Sequence, residues 1–541
     1  MVNWNSAPRS TLTWVAHWSF MAIAMLVLSR WLGLDGSFTR ELWGYGLNFL
    51  MALEFLTRKD FLWRRAGSSS LTIRQLLSRM HPHGGKLWLG WGGDWNKDLL
   101  QRFMERGAQD PMQGMRDTQW LHHRLEIPLE PRGNMLILGA PGSGKTQAFL
   151  LFAVQAIARG DIVLVLDPKG GTTLPRALRE VSELTRRPYY QLVVAQPQES
   201  CSFDLLAHGR HASELASRIS LLLPPAEQGT VFSQFAWMTL YRVINAQLWL
   251  GDSLNFPQLR AHILDQGKAL FGMLLRHPQV EPQVLAGIRD LANHESVHYS
   301  KMILALMPLL DILATGVLGE LLTRPQEVTK PFLTVEELVA QRGILYVGLG
   351  ALSDVRVAQA LGALLLADLA AWMGDRYRQG LGKGAKIQVF VDEAAEVSGG
   401  AFVQLLNKGR ECGLQVTLAL QTLADLEVAL RGPAEARMMV GNAAHLLVLR
   451  TLDPDSRTIL VERAGKVLLR VRQSGASVQA QQGVGWLNRH GHGASIARPL
   501  QEVTLIPEAL LSQMQDRHFV GYFAGRGLVV GRLPWVRHSD F

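Results

Sequence analysis

Apolar residues follow two rhythms along this chain. Short, mostly apolar runs occur at Asn134–Leu138, Ile162–Leu166, Tyr190–Ala195, Gly343–Leu349, Ile387–Val391, Leu414–Leu420 and His445–Arg450. Runs of this length without polar alternation read as strands covered on both faces. Between them the spacing changes. After the first strand, Phe149, Leu150, Ala153, Val154, Ile157 and Ala158 fall on one side of a helix, and Val355–Tyr377 reads as a long, mostly buried helix. Alternating strands and helices predict an α/β fold, a mainly parallel sheet with helices on both faces. In such sheets ligands bind at the carboxyl ends of the strands.

Residues 208–325 break this alternation. His211–Leu223, Val231–Leu250, Leu259–Leu275 and Met302–Leu322 all carry helical patterning, the third beginning just after Pro257. An all-α domain inserted into the sheet domain is the simplest account. It holds no evident catalytic constellation, so its expected work is recognition, or structure alone. Gln473–Ser495 is polar and rich in Gly and Gln and reads as a flexible loop.

The N-terminus has a third pattern. Leu12–Leu28 is apolar without a charge and long enough to span a bilayer as a helix; Leu42–Leu56 is shorter and carries Glu54. The second segment spans or lies at the interface. No small-residue cleavage site follows the first, which weighs against a signal peptide. Arg9 precedes the pair, Arg58, Lys59, Arg64 and Arg65 follow it, and the intervening loop has only Arg40. The positive-inside tendency puts both ends in the cytoplasm, so a multi-pass transmembrane helical hairpin is expected to anchor a cytoplasmic body. The expected domains are a membrane anchor at 1–57, a linker region at 58–130, a nucleotide-binding domain at 131–207 and 326–541, and the all-α insertion at 208–325. Within the linker, Gly84–Trp95 (GGKLWLGWGGDW) reads as a hairpin or a docking segment, with simple packing the plainer account.

Composition adds little to this picture. A chain of 541 residues exceeds one core, and 48% hydrophobic with 19% charged residues argues against disorder. Two cysteines give no disulfide framework or zinc spacing. The net charge of +9 suits a polyanionic partner or an anionic membrane face, and equally an ordinary basic protein.

The chemistry lies in two motifs. Gly139, Ala140, Pro141, Gly142, Ser143, Gly144, Lys145 and Thr146 form a phosphate-binding loop between a strand and a helix, the context such a loop needs. Its glycines let backbone N–H groups surround phosphate oxygens, and the helix N-terminus adds positive potential. Lys145 is expected to reach the β- and γ-phosphates of ATP, Thr146 to ligate Mg2+, and Gln147 to join the nucleotide-contacting set. The run Ile387–Val391 ends in Asp392-Glu393, the Walker B form. Asp392 is expected to hold the metal and Glu393 to polarise the attacking water. Gln421, ending another strand, is a candidate γ-phosphate sensor on a strand between these two, or a plain strand-terminal turn.

Taken together these features resemble the type IV secretion coupling proteins of the TraD/TraG group, within the FtsK/HerA-like translocases. The resemblance rests on the N-terminal hairpin, the phosphate loop, Asp167-Pro168-Lys169-Gly170, the helical insertion and Val391-Asp392-Glu393-Ala394. It is most specific over Leu405–Leu426 (LLNKGRECGLQVTLALQTLADL), continues at Gly441-Asn442 and Leu449-Arg450, and extends to Arg498–Pro534, similar to the tail of TraD proteins of integrating conjugative elements. Where family members often carry an acidic residue after Asp-Pro-Lys-Gly, this chain has Gly171.

The resemblance implies a RecA-like ATPase that assembles as a homo-hexamer at the bacterial inner membrane. It would deliver a relaxase–single-stranded DNA complex, the relaxosome, to a type IV secretion channel. It implies Arg410 as an arginine finger reaching a neighbouring subunit, Gln421 as sensor and Arg450 as a second candidate finger. Two other readings stand beside it: an FtsK/HerA-type motor on double-stranded DNA, and a docking receptor for secreted proteins with little turnover. Arg463, Lys466, Arg470 and Arg472, then Arg526, Arg532 and Arg537, suit DNA, anionic lipid or a solvated face equally.

Overall fold

Asn134–Leu138 has every residue buried, and its side chains divide between two cores. Met135 and Ile137 face one helical layer, Leu136 and Leu138 the other. Burial on both faces is why the run lacks polar alternation. The same holds for Ile162–Asp167. In a computed structural model of the chain, the described residues are 70–80, 85–106, 123–129, 133–209, 211–223, 230–325, 330–351, 354–380, 386–397, 402, 406, 409, 413–430, 432–470, 473–480, 490–497 and 499–538. The expected membrane hairpin and Arg410 lie outside them.

Among the described residues, eleven strands make the main sheet: β1 (Lys86–Asp94), β2 (Arg124–Pro128), β3 (Asn134–Leu138), β4 (Ile162–Asp167), β5 (Tyr189–Val193), β6 (Ile344–Gly348), β7 (Ile387–Val391), β8 (Leu414–Leu420), β9 (Ala443–Val448), β10 (His518–Phe523) and β11 (Gly527–Arg532). Their order is β2-β1-β11-β10-β9-β3-β8-β7-β4-β6-β5. From β9 to β5 every pairing is parallel, and from β9 outward through β10, β11, β1 and β2 every pairing is antiparallel. The expected β8 position, between the phosphate-loop strand β3 and the Walker B strand β7, is the observed one.

Helix α1 (Lys145–Arg159) and α2 (Thr173–Thr185) cover one face with Phe149, Phe152, Leu174 and Leu178. The segment expected as a linker supplies β1 and β2. Trp88 of β1 is buried, its N–H donates to Gln155 Oε1, and Gln155 Nε2 donates back to the Trp88 carbonyl. This polar clamp joins the antiparallel wing to α1.

The other face carries the helical run from Ala212 to Leu321, including α3 (Val231–Leu250), and the later helix α4 (Val355–Arg378). By length and composition α4 could cross a bilayer, but most of its apolar stretch is buried inside the fold, as suits a core helix. Asp368 on α4 is fully buried. Arg218 Nη1 donates to its Oδ1 at 3.0 Å and His208 Nδ1 lies 3.0 Å from its Oδ2. These contacts bind the helical run to the sheet domain by a shared buried charge.

Three of the expected elements need correction. Met302–Leu322 is not one helix: Met302 ends Ser296–Met302, a turn follows, and Met307–Ala314 and Gly316–Leu321 are separated at Thr315, whose backbone is extended. Leu259–Leu275 is not one helix but two, Phe256–Leu264 and Lys268–Leu274, because Gln266 and Gly267 both take left-handed backbone, with φ of 58° and 69°. Within Gln473–Ser495, read as a flexible loop, the ends pair: Gln473–Ala480 runs antiparallel to His490–Ala497 over eight residue pairs. Backbone hydrogen bonds make this ribbon, so its low apolar content concealed it.

Candidate nucleotide-hydrolysis site

Three neighbouring parallel strands, β3, β8 and β7, end at the same edge and deliver the expected motifs to one place. After β3 the chain turns through Gly142 and Gly144, with φ of 74° and 115°, conformations that L side chains rarely adopt. A Cβ at Gly139 would meet Ser143 Oγ at 2.5 Å and Leu449 Cβ at 2.9 Å, so this position has no room for one. Gly139 N–H donates to the Leu420 carbonyl at the end of β8, and Ala140 N–H to the Arg450 carbonyl beyond β9. The loop is thus hung between its two neighbouring strands. Pro141 and Gly142 are exposed.

Lys145 is buried and its Nζ donates to the Gly139 carbonyl at 2.8 Å and the Ala140 carbonyl at 3.4 Å. Burial lowers its pKa, and Glu393 and Asp392 oppose that shift. Ser143 Oγ is buried without a hydrogen-bond partner among the described residues. A buried donor left over inside a glycine loop at the start of α1 fits an anionic oxygen. Thr146 is the second residue of α1 and half-buried. Gln147 has a structural partner: its Oε1 accepts the Val536 N–H at 2.8 Å, tying α1 to the terminal strand Trp535–Arg537.

Asp392 follows β7, with its N–H donating to the Leu166 carbonyl of β4. It is buried, and its pKa is pushed up to about 6 by that burial, then by Glu393 and Asp167, with Lys145 pulling the other way. A divalent cation would relieve this crowding of negative charge. Glu393 takes φ of 46°. Its Oε1 accepts from Gln421 Nε2 at 2.6 Å and from Lys169 Nζ at 2.7 Å.

The structure therefore brings Lys145, Asp392, Glu393 and Gln421 to one sheet edge. Arg450 is there too, but its side chain is paired with Asp516 at 2.9 Å. Sequence reasoning assigned no role to Lys169 or to Arg517. Arg517 sits against the loop: its N–H donates to the Ser143 carbonyl, and its Cγ lies 3.1 Å from where a Gly144 Cβ would be. The signal for Lys169 was its place just past a strand; β4 and β7 proved to be neighbours. Arg517 had no comparable signal, because its approach depends on how β10 packs.

Residues 386–516 match a family model described as the TraM recognition site of TraD and TraG. No curated protein matches the chain in sequence. Among solved structures, the unbound form of the bacterial conjugative coupling protein TrwBdeltaN70 is similar at 16% identity and TM-score 0.55, over 85% of this chain and 97% of that one. TrwB with the non-hydrolysable GTP analogue GDPNP matches at 15% identity and TM-score 0.53, and TrwB with ADP and Mg2+ at 15% and 0.52, each over 84% of this chain and 96% of the other. At these identities the likeness is one of fold, a mostly parallel sheet with a helical domain.

Proposed function

We propose that this chain is the coupling ATPase of a bacterial conjugation system, hydrolysing MgATP to move a relaxase–single-stranded DNA complex toward a type IV secretion channel. The observation that carries the ATPase reading is the convergence of Lys145, Asp392, Glu393 and Gln421 at the ends of β3, β7 and β8. The match of residues 386–516, together with the fold shared with TrwB, supports the conjugative role. Nucleotide and Mg2+ in the TrwB complexes support the same ligands here.

In this reading Gly139–Thr146 cradles the phosphates and Lys145 leaves its carbonyl partners for the β- and γ-phosphates. Thr146 and Asp392 would hold Mg2+, which supplies charge neutralisation on the phosphate oxygens. Glu393 accepts the proton of a water whose oxygen bonds to the γ-phosphorus, and the bond from that phosphorus to the β,γ-bridging oxygen breaks to release ADP. Arg410 would stabilise the charge on the transferring phosphoryl from a neighbouring subunit of a homo-hexamer. The segment 1–57 would anchor the ring in the inner membrane. The helices of residues 208–325 would serve recognition, and residues 386–516 would dock a relaxosome protein.

DNA-stimulated ATP hydrolysis by the purified full chain tests this. Lys145→Ala and Glu393→Gln should each lower kcat by on the order of 100-fold or more, with Glu393→Gln retaining nucleotide binding. Lys145→Ala should also abolish mating-dependent DNA transfer. Untouched transfer in that variant would sink the coupling reading. Relaxase docking by a wild-type protein without hydrolysis would favour a receptor instead.

A further inference from the structure

Asp167 closes β4 with a buried carboxylate that builds the turn after it. Its Oδ1 accepts the N–H groups of Lys169 at 3.0 Å and Gly170 at 3.1 Å, and its Oδ2 accepts the Gly171 N–H at 3.0 Å and the Tyr346 hydroxyl at 2.9 Å. Gly170 takes φ of 67°, and Ala351 N–H donates to the Pro168 carbonyl at 2.7 Å, tying the turn to the loop after β6. The backbone of Lys169 is thereby held from several directions.

The Lys169 side chain is 52% exposed, so its reach to Glu393 is not forced by packing. Glu393 itself is only 13% exposed. An ion pair this open contributes little to stability, so its meaning is geometric. In the sheet order, β4 and β8 flank β7. Lys169 beyond β4 and Gln421 beyond β8 therefore approach Glu393 from opposite sides, and both donate to the same oxygen, Oε1. Among the described residues no donor meets Oε2. A glutamate has three rotatable side-chain bonds, and its aim is lost unless something anchors it. The left-handed backbone at Glu393 sets where the side chain starts; two donors on Oε1 set where it ends.

We infer that Lys169 is a positioning residue for hydrolysis: with Gln421 it clamps Oε1 of Glu393, so that Oε2 is presented to the attacking water. This rests on the ATPase reading above. Lys169 acts through Glu393 and is not required to hold nucleotide.

The test compares the full-length wild type, Lys169→Met, Lys169→Arg, Glu393→Gln and the Lys169→Met/Glu393→Gln double variant. The readings are steady-state hydrolysis and binding of a fluorescent ATP analogue. Lys169→Met should lower kcat by about 10- to 100-fold, the scale of a misaimed catalytic group. KM for MgATP and analogue binding should stay within about twofold, because ground-state binding is untouched. Lys169→Arg, which keeps the cation and the donor, should recover most of kcat. In the Glu393→Gln background Lys169→Met should cost nothing further, since the group it positions is gone. Unchanged kcat in Lys169→Met, weakened analogue binding, or a full multiplicative loss in the double variant would each overturn the inference, the last two pointing to direct phosphate contact. Absence of hydrolysis by the wild type would overturn the ATPase reading as well.

Discussion

At the scale of single residues the site is a crowd of charge. Asp167, Asp392 and Glu393 share a small space with Lys145 and Lys169, and Asp392 bears the cost, with its pKa pushed up to about 6 by burial and by its acidic neighbours. The consequence for stability has a definite sign. A carboxyl that binds its proton more tightly folded than unfolded weakens the fold progressively as pH rises from its unfolded value to its folded one, and the penalty is complete above the folded value. In nucleotide-free protein Asp392→Asn should therefore raise the unfolding midpoint. The gain should be absent below about pH 4, grow toward pH 6 and be full above it, reaching at most about 3 kcal/mol for a shift of roughly two units. Thermal melts of both proteins across pH 4–8 in EDTA check this; an equal gain at every pH would refute the charge argument. The same residue scale accounts for the glycines: Gly139 is required by contact and Gly144 by its φ of 115°.

At the scale of elements, the helical run is joined to the sheet domain by charge as well as by apolar packing. Arg218, on the helix Ala212–Ser220, reaches Asp368 on α4, and Arg218 also donates to the carbonyls of Leu205 and His208. Asp368 has no exposure to water, so removing Arg218 takes away its guanidinium and leaves the buried carboxylate with His208 alone. Arg218→Ala should cost about 3–5 kcal/mol, read as a lower urea midpoint. A double replacement of Arg218 and Asp368 by apolar residues of similar volume should recover much of it. If the single variant is as stable as wild type, the pair does not hold these elements together. The antiparallel wing is an element-scale result too. Residues 86–94 and 124–128 are separate in pattern from the nucleotide core, yet they extend its sheet through β11.

At the scale of the whole molecule, the C-terminal strands complete the phosphate loop. Arg517 lies against Ser143 and Gly144, Asp516 pairs with Arg450, and Val536 takes the Gln147 side chain. With Arg450 engaged inside its own chain, Arg410 is the better candidate for a residue offered to a neighbour. Mixing Arg410→Ala subunits with Lys145→Ala subunits tests that assembly. A finger acting between subunits predicts partial recovery of hydrolysis in mixed rings, since some interfaces then pair an intact phosphate loop with an intact arginine. Mixed rings that form but recover no activity would count against it.

The local chemistry was legible in the chain because it is contiguous. Gly139–Thr146 names its own loop, and mostly apolar runs such as Leu414–Leu420 mark strands buried on both faces, with the same bounds in the structure. Val231–Leu250 likewise kept its predicted bounds. What periodicity conveys is the environment of each segment, not its neighbours. The strand order therefore came from the tertiary structure, and with it the meeting of Lys169 and Glu393, 224 residues apart. The break at Gln266-Gly267 and the pairing of residues 473–480 with 490–497 were hidden for a related reason: backbone conformation and backbone pairing decide them, and apolar pattern records neither. The sequence by itself determined which groups are candidates to hold and cleave a nucleotide; sheet order decided which groups stand beside them, because pairing brings distant strand ends to one edge.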